Sequence, residues 1–156
     1  MNNEKIIEEV INTIMALSKR GVMSYSNIDL ACGGHISAMH VGLSNEALLI
    51  RQRQDNRSVS STFNDQNDVA KCLACVFSDL YSVKRIATWI VNGSTNRLVE
   101  SFWFDETGIV GRVLYPNGAI FETESFEIVL EKKDLDYYNL TTGMPFDVIT
   151  MHPAQE

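Results

Sequence analysis

DVAKCLACVFSDLYSVKRIATWIV (residues 68–91) runs directly into NGSTNRLVESFWF (residues 92–104), and the junction decides the fold. Up to Val91 the apolar side chains recur every three or four positions, the period of one continuous helix over 68–91, with Asp65 or Asn67 as its cap. After Asn92-Gly93 the period drops to two. LVESFWF (98–104), GIVGRVLY (108–115), FEIVL (126–130) and PFDVITMH (145–152) all read as strands, parted by Thr-Gly, Pro-Asn-Gly and a longer acidic loop near 131–143.

Upstream of the junction the pattern is helical. Ile6, Ile7, Val10, Ile11, Ile14 and Leu17 fall on one face of a helix over 4–19 that Gly21 ends. Ser44 reads as an N-cap for a helix reaching about Gln52, and VSSTF (59–63) as a short strand. Between them, ACGGHISAMHVG (31–42) is a glycine-bounded segment, helical or irregular, that holds two of the three histidines. Helices first and an antiparallel sheet second predict an α+β fold. The chain of 156 residues suits one globular unit, with 1–30 as an N-terminal amphipathic helix and lead-in and 31–156 as the functional domain.

Composition narrows the class. The start of the chain is acidic and no stretch approaches the roughly 18 apolar residues of a membrane span, so a soluble chain without a signal peptide is expected, any export signal lying outside it. Three cysteines do not make a disulfide framework and fit a reducing compartment. Cys72 and Cys75 form a C-x-x-C, but no second pair completes a zinc site; on a helix, residues three apart share a face, and two buried thiols packing a core are expected. Acidic residues show no metal-site spacing, and neither a phosphate-binding glycine loop nor a G-x-S-x-G elbow is present. The net charge of −7 is awkward for a protein holding a polyanion. The acidity belongs to residues 101–156, whereas residues 1–100 are neutral and include the basic run Arg51, Arg53 and Arg57.

The chemistry-bearing residues are His35, His40 and His152, because histidine alone titrates near neutrality without perturbation. In strict alternation Phe146, Val148, Thr150 and His152 share one face of the last strand and Asp147, Ile149 and Met151 the other. Thr150 and His152 can therefore reach one substrate. Arg51 lies eleven residues beyond His40, and the two border one cleft only if the chain folds back between them.

GGHISAMHVGLSNEALLIR (33–51), SSTF with Asp65, IATWI (86–90), IVGRV (109–113), FEIVLEKKD (126–134) and GMPFDVITMHP (143–153) together resemble the bacterial RNase A-like toxin domain found at the C-terminus of contact-dependent growth inhibition proteins. The resemblance spans about residues 31–153, and its first and last segments are the specific ones. It implies an RNase A-like fold without disulfides. It also implies a metal-independent ribonuclease with no cofactor, and catalytic residues at His40, Arg51, Thr150 and His152, with His35 in a supporting role. His152 is a departure, since many members carry tyrosine there. The change moves this chain towards the two-histidine arrangement of the pancreatic enzymes.

The reaction implied is attack of the RNA 2′-hydroxyl on the adjacent phosphorus, leaving 2′,3′-cyclic phosphate ends. By analogy with the pancreatic chain order His40 is the base and His152 the acid, with the reverse assignment open. Arg51 would stabilise the transition state, and Thr150 would bond a phosphate oxygen or a base edge. Expected partners are RNA, transfer RNA among the candidates, and a cognate immunity protein, with no membrane. The expected site of action is the bacterial cytoplasm, reached as the end of a longer secreted toxin or as a free-standing protein. Two other readings compete: an inactive ribonuclease-like or immunity-type acidic binding protein, which the charge favours, and a hydrolase using Cys32 or Cys72 with a histidine.

Overall fold

A computed structural model describes residues 2–55, 59–134 and 143–155. Its elements run α1 (Asn3–Lys19), α2 (Tyr25–Ala31), α3 (His35–His40), α4 (Asn45–Gln54), β1 (Ser60–Phe63), α5 (Gln66–Ser78), α6 (Leu80–Asn92), β2 (Arg97–Trp103), β3 (Gly111–Leu114), β4 (Ile120–Thr123), β5 (Ser125–Lys132) and β6 (Phe146–Pro153). Helices precede an antiparallel sheet region, the α+β arrangement expected, and the three cysteines are free thiols.

The helix boundaries follow local chemistry. Asn2, Ser24, Ser44, Asp65 and Asp79 each accept a hydrogen bond from a backbone N–H in the first turn of the helix that follows. Such a cap stabilises a helix by about 0.5–2 kcal/mol relative to alanine. Asp79 explains one correction. Residues 68–91 are not one helix, because Asp79 takes an extended conformation (φ −89°, ψ 112°) and caps α6 through the Ser82 N–H. The apolar period continues across this break, so periodicity alone does not reveal it. The helix α2 lies in what the sequence left as a lead-in.

The strands form two three-stranded antiparallel sheets, ordered β1-β3-β4 and β2-β5-β6. The hairpin β3–β4 turns at Pro116-Asn117-Gly118, where Gly118 has φ 85°, a left-handed value that suits glycine. The core lies between the helices and the second sheet. It joins Val10 and Ile14 of α1, Cys72, Val76 and Phe77 of α5, Ile86 and Ile90 of α6, and the inward residues Phe102, Phe126, Ile128 and Met151. Phe77 stacks on Phe146 at 5.8 Å between ring centroids.

The last strand breaks the alternation read from its sequence. A bulge between Val129 and Leu130 leaves Ile149 as an extra residue on β6: Val148 pairs with Leu130, and Thr150 with Val129. Phe146 and Val148 therefore join Met151 and Pro153 in the buried set, not Thr150 and His152. Thr150 and His152 still share a face, the one turned away from this core.

The two sheets meet where β1 and β3 approach the end of β6. Gly111 of β3 is packed tightly between β1 and the end of β6. A Cβ there would lie 2.2 Å from the Thr62 carbonyl oxygen and 2.6 Å from the Pro153 ring.

Candidate active site

The chain does fold back after His40. The helix α3 ends there, Val41 is extended and bridges to Phe63, and Gly42 turns with φ 68° while its N–H donates to the Phe63 carbonyl at 2.8 Å. The Leu43 N–H donates to Thr62 Oγ1 at 3.0 Å, Arg112 holds the Leu43 carbonyl and the Asn45 side chain, and Ser44 starts α4. Arg51 sits seven residues beyond that cap, about 10 Å along the helix at 1.5 Å per residue. α3 and α4 both pack on β1, and the turn between them brings Arg51 beside His40. Its Nη1 donates to the Met39 carbonyl and lies 3.5 Å from His40 Nδ1, and its Nε is 3.8 Å from Asp55. His40 and Arg51 are both buried.

His152 arrives from the other sheet. Its ring centroid is 5.5 Å from that of His40, with the planes tilted by 40°. Its Nε2 is 3.3 Å from Glu127 Oε1, and its Nδ1 is 2.9 Å from the Pro153 carbonyl oxygen. Both neighbours are acceptors, an arrangement suited to an imidazolium that donates from both nitrogens. Around His40 the roles are opposite. Arg51 can only donate, so its approach to Nδ1 suits a ring with a lone pair there.

His40, Arg51, Ser61, Ser101, Glu127 and His152 line one cleft of about 440 Å³. One wall is cationic, through Arg51, and the other carries the Glu127 carboxylate. A larger groove of about 570 Å³ runs along α6 past Tyr81 and Lys84, but none of the histidines lines it.

His35 is exposed and sets its ring edge-on against His40 at 5.1 Å. Thr150 neighbours His152 on the strand but is not among the residues lining the cleft, and its hydroxyl is buried without a hydrogen-bond partner. Rotation about χ1 is the simplest way for that hydroxyl to meet a ligand. Arg53 is exposed and takes no part in the lining, and Arg57 lies outside the described residues.

Glu127 and Ser101 are the wall residues that sequence reasoning missed. They stand in one row across the sheet, Ser101 opposite Glu127 and Glu127 opposite His152. Period-two parity places each on an outward face, but only the strand register brings them together.

No cysteine lines the cleft that holds His40 and His152. Burial pushes all three thiols up, most strongly Cys72, with Asp29 and Asp147 adding to Cys32. Cys72 is fully buried, whereas Cys75 is half-buried, so only one of the expected pair packs the core completely. At pH 8 in native buffer, a maleimide is expected to label Cys75 well before Cys72, with Cys72 reacting only in denaturant. Mass spectrometry of the peptides reads the order, and early Cys72 labelling would overturn the packing described. Among the described residues no three His, Cys, Asp or Glu side chains gather in a group able to hold a metal ion, and no helix is long and apolar enough to cross a membrane.

No curated protein matches the chain significantly. The fold is similar to that in the crystal structure of a CdiA-CT/CdiI complex from Y. kristensenii 33638, with a TM-score of 0.64 at 15% identity, covering 78% of this chain and 98% of that one. The model of the bacterial CdiA-CT RNase A domain matches residues 34–153, which takes in the segments carrying His40, Arg51 and His152. The chain thus belongs to the bacterial CdiA-CT RNase A domain family, the ribonuclease toxins of contact-dependent growth inhibition.

Proposed function

We propose that the chain cleaves RNA without a metal ion, by attack of the 2′-hydroxyl on the adjacent phosphorus, and that residues 31–156 form the catalytic unit. The observation that carries this reading is the pairing of His40 and His152 across the cleft, with Arg51 held against His40. Centroids 5.5 Å apart leave the rings able to flank one phosphodiester, each within hydrogen-bond reach of an oxygen once the substrate has settled between them.

His40 takes the proton from the 2′-hydroxyl as that oxygen bonds to phosphorus. His152 gives a proton to the 5′-oxygen as the P–O bond breaks. The products are a 2′,3′-cyclic phosphate and a free 5′-hydroxyl. The assignment follows the chain order of the pancreatic enzymes, and the pH profiles of the two single variants distinguish it from its reverse. Glu127 is a positioning residue that holds the His152 ring. Arg51 supplies a permanent cation with a planar fork for the equatorial oxygens of the transition state, where preorganised charge contributes most. Thr150 completes the site by bonding a phosphate oxygen or a base edge after its side chain rotates, and His35 supports the His40 ring.

The related crystal structure is a complex of a CdiA-CT with a CdiI, and by the same logic this chain has a cognate immunity protein. It acts in the bacterial cytoplasm, delivered there as the end of a longer secreted toxin.

The test is incubation of the purified chain with total RNA and a matched DNA in excess chelator. RNA should be cut, leaving 2′,3′-cyclic phosphate ends, and DNA should survive for want of a 2′-hydroxyl. Cleavage that needs an added divalent ion, or that cuts DNA equally, would sink the proposal.

A further inference from the structure

The sheet face that bears Ser101, Glu127 and His152 continues past the cleft lining. In β2 the exposed residues alternate with Phe102, which is buried in the core, so Ser101 and Trp103 share the face that bears Glu127 and His152. Trp103 pairs with Ser125, and the Ala154 N–H donates to the Ser125 carbonyl at 3.0 Å. Trp103, Ser125 and Ala154 thus make the row next to Ser101, Glu127 and His152, about 6.6 Å away for two residues of strand. The indole is 55% exposed, which is unusual for so large an apolar ring. It is also fixed, because its Nε1 donates to Glu124 Oε2 at 3.1 Å.

We propose that Trp103 is the stacking platform for one nucleobase of the RNA, the base on the leaving-group side of the cleaved bond. This rests on the ribonuclease reading above. A rigid, exposed aromatic ring beside a cleft for single-stranded RNA offers what any base can use, a flat apolar face. The charge on the walls orients the nucleotide. Glu127 and Glu124 repel phosphate from this side, so the backbone runs along the Arg51 wall and the bases turn towards the sheet. The order across the molecule then gives the side. His40 and β1 lie beyond β6, whereas Trp103 stands on β2, two strands away from His152 in the opposite direction. With His152 protonating the departing oxygen, the nucleotide that leaves is the one over β2.

Two measurements test this. In the first, a deoxytetranucleotide, which cannot be cut, is titrated against intrinsic fluorescence. Trp89, the second tryptophan, is buried and hydrogen-bonded to Thr95, so quenching reports on Trp103. Quenching is expected with the oligonucleotide and not with deoxyribose 5-phosphate, and it should vanish in Trp103→Phe. In the second, kcat/KM is compared for a dinucleotide and for a nucleoside 3′-phosphate methyl ester, whose leaving group carries no base. Trp103→Ala should lower the first roughly 5- to 150-fold, the size of one lost base–aromatic stack, and leave the second unchanged, with Trp103→Phe restoring most of the loss.

Equal effects on the two substrates, no effect on either, or a loss confined to binding of an immunity protein would each overturn the proposal. If the parent cuts neither substrate while the oligonucleotide still quenches Trp103, the platform stands and the cleavage reading falls.

Discussion

His152→Ala and His40→Ala are each expected to slow RNA cleavage by about 10²- to 10⁴-fold, the usual cost of removing a general acid or base. The two losses should not add. Once either proton transfer is gone the concerted step is gone, so the double variant should be little slower than the worse single one. The pH profile then separates the roles. In the parent, the rate should fall at low pH as the base is protonated and at high pH as the acid loses its proton. His152→Ala should remove the alkaline fall and keep the acidic one, and His40→Ala should do the reverse. The opposite pattern would exchange the two assignments; a variant with full activity would remove its histidine from the mechanism. His152 is half-exposed, so its variant should melt with the parent, which keeps the kinetic loss from being read as unfolding.

Gly111→Ala is expected to damage the fold and the site together. The added methyl group would sit 2.2 Å from a backbone carbonyl oxygen and 2.6 Å from a proline ring, and neither can swing aside as a flexible side chain can. Something must shift: β1 at Thr62, or the end of β6 at Pro153. Overpacking of this kind costs about 1–3 kcal/mol and at times more. For a chain of this size, that lowers Tm by roughly 2–12 °C. Because Pro153 follows His152 directly, whatever folded protein remains should also cleave more slowly, through a displaced His152. A melt and a turnover rate equal to the parent's would show that the junction is looser than described.

Much of the fold could be read from residues whose local chemistry is self-contained. The first helix announces itself through the spacing of Val10, Ile14 and Leu17, and the fourth through Ser44, because caps and apolar stripes act within a few residues. The change of period at Asn92-Gly93 separates helices from sheet for the same reason. What escaped depends on partners far away in sequence. Asp79 could as easily have been an exposed helix residue; its cap shows only once the chain has broken there. The strand β4 has two adjacent exposed residues, Phe121 and Glu122, so no in-and-out alternation stands out. The bulge at Ile149 leaves no mark in the sequence of β6, since a strand's register belongs to the pair and not to either member.

The candidate site divides in the same way. His40, Arg51, Thr150 and His152 were singled out from the motifs that carry them, and three of the four line one cleft. Thr150 stands apart from that lining with a buried hydroxyl, so spacing along a strand placed it near His152 without fixing which way its oxygen points. Glu127 reaches His152 through strand pairing alone. The acidity of the last third, which looked hostile to RNA, is in part that residue and its neighbours on the sheet, set opposite Arg51.

The extra residue in β6 makes counting as important as chemistry. With Ile149 taken into the ladder the strand would send Phe146, Val148, Thr150 and His152 the same way, and either Phe146 and Val148 would leave the core or Thr150 and His152 would enter it. Leaving Ile149 out of the pairing releases the two halves from each other, so that a single short segment is both an anchor and a tool. Closing the bulge with Ile149 kept in the ladder would leave every functional side chain in the chain and still disarm it, because Thr150 and His152 would then face the core, whereas deleting Ile149 would straighten the strand and keep each of these residues on its present side.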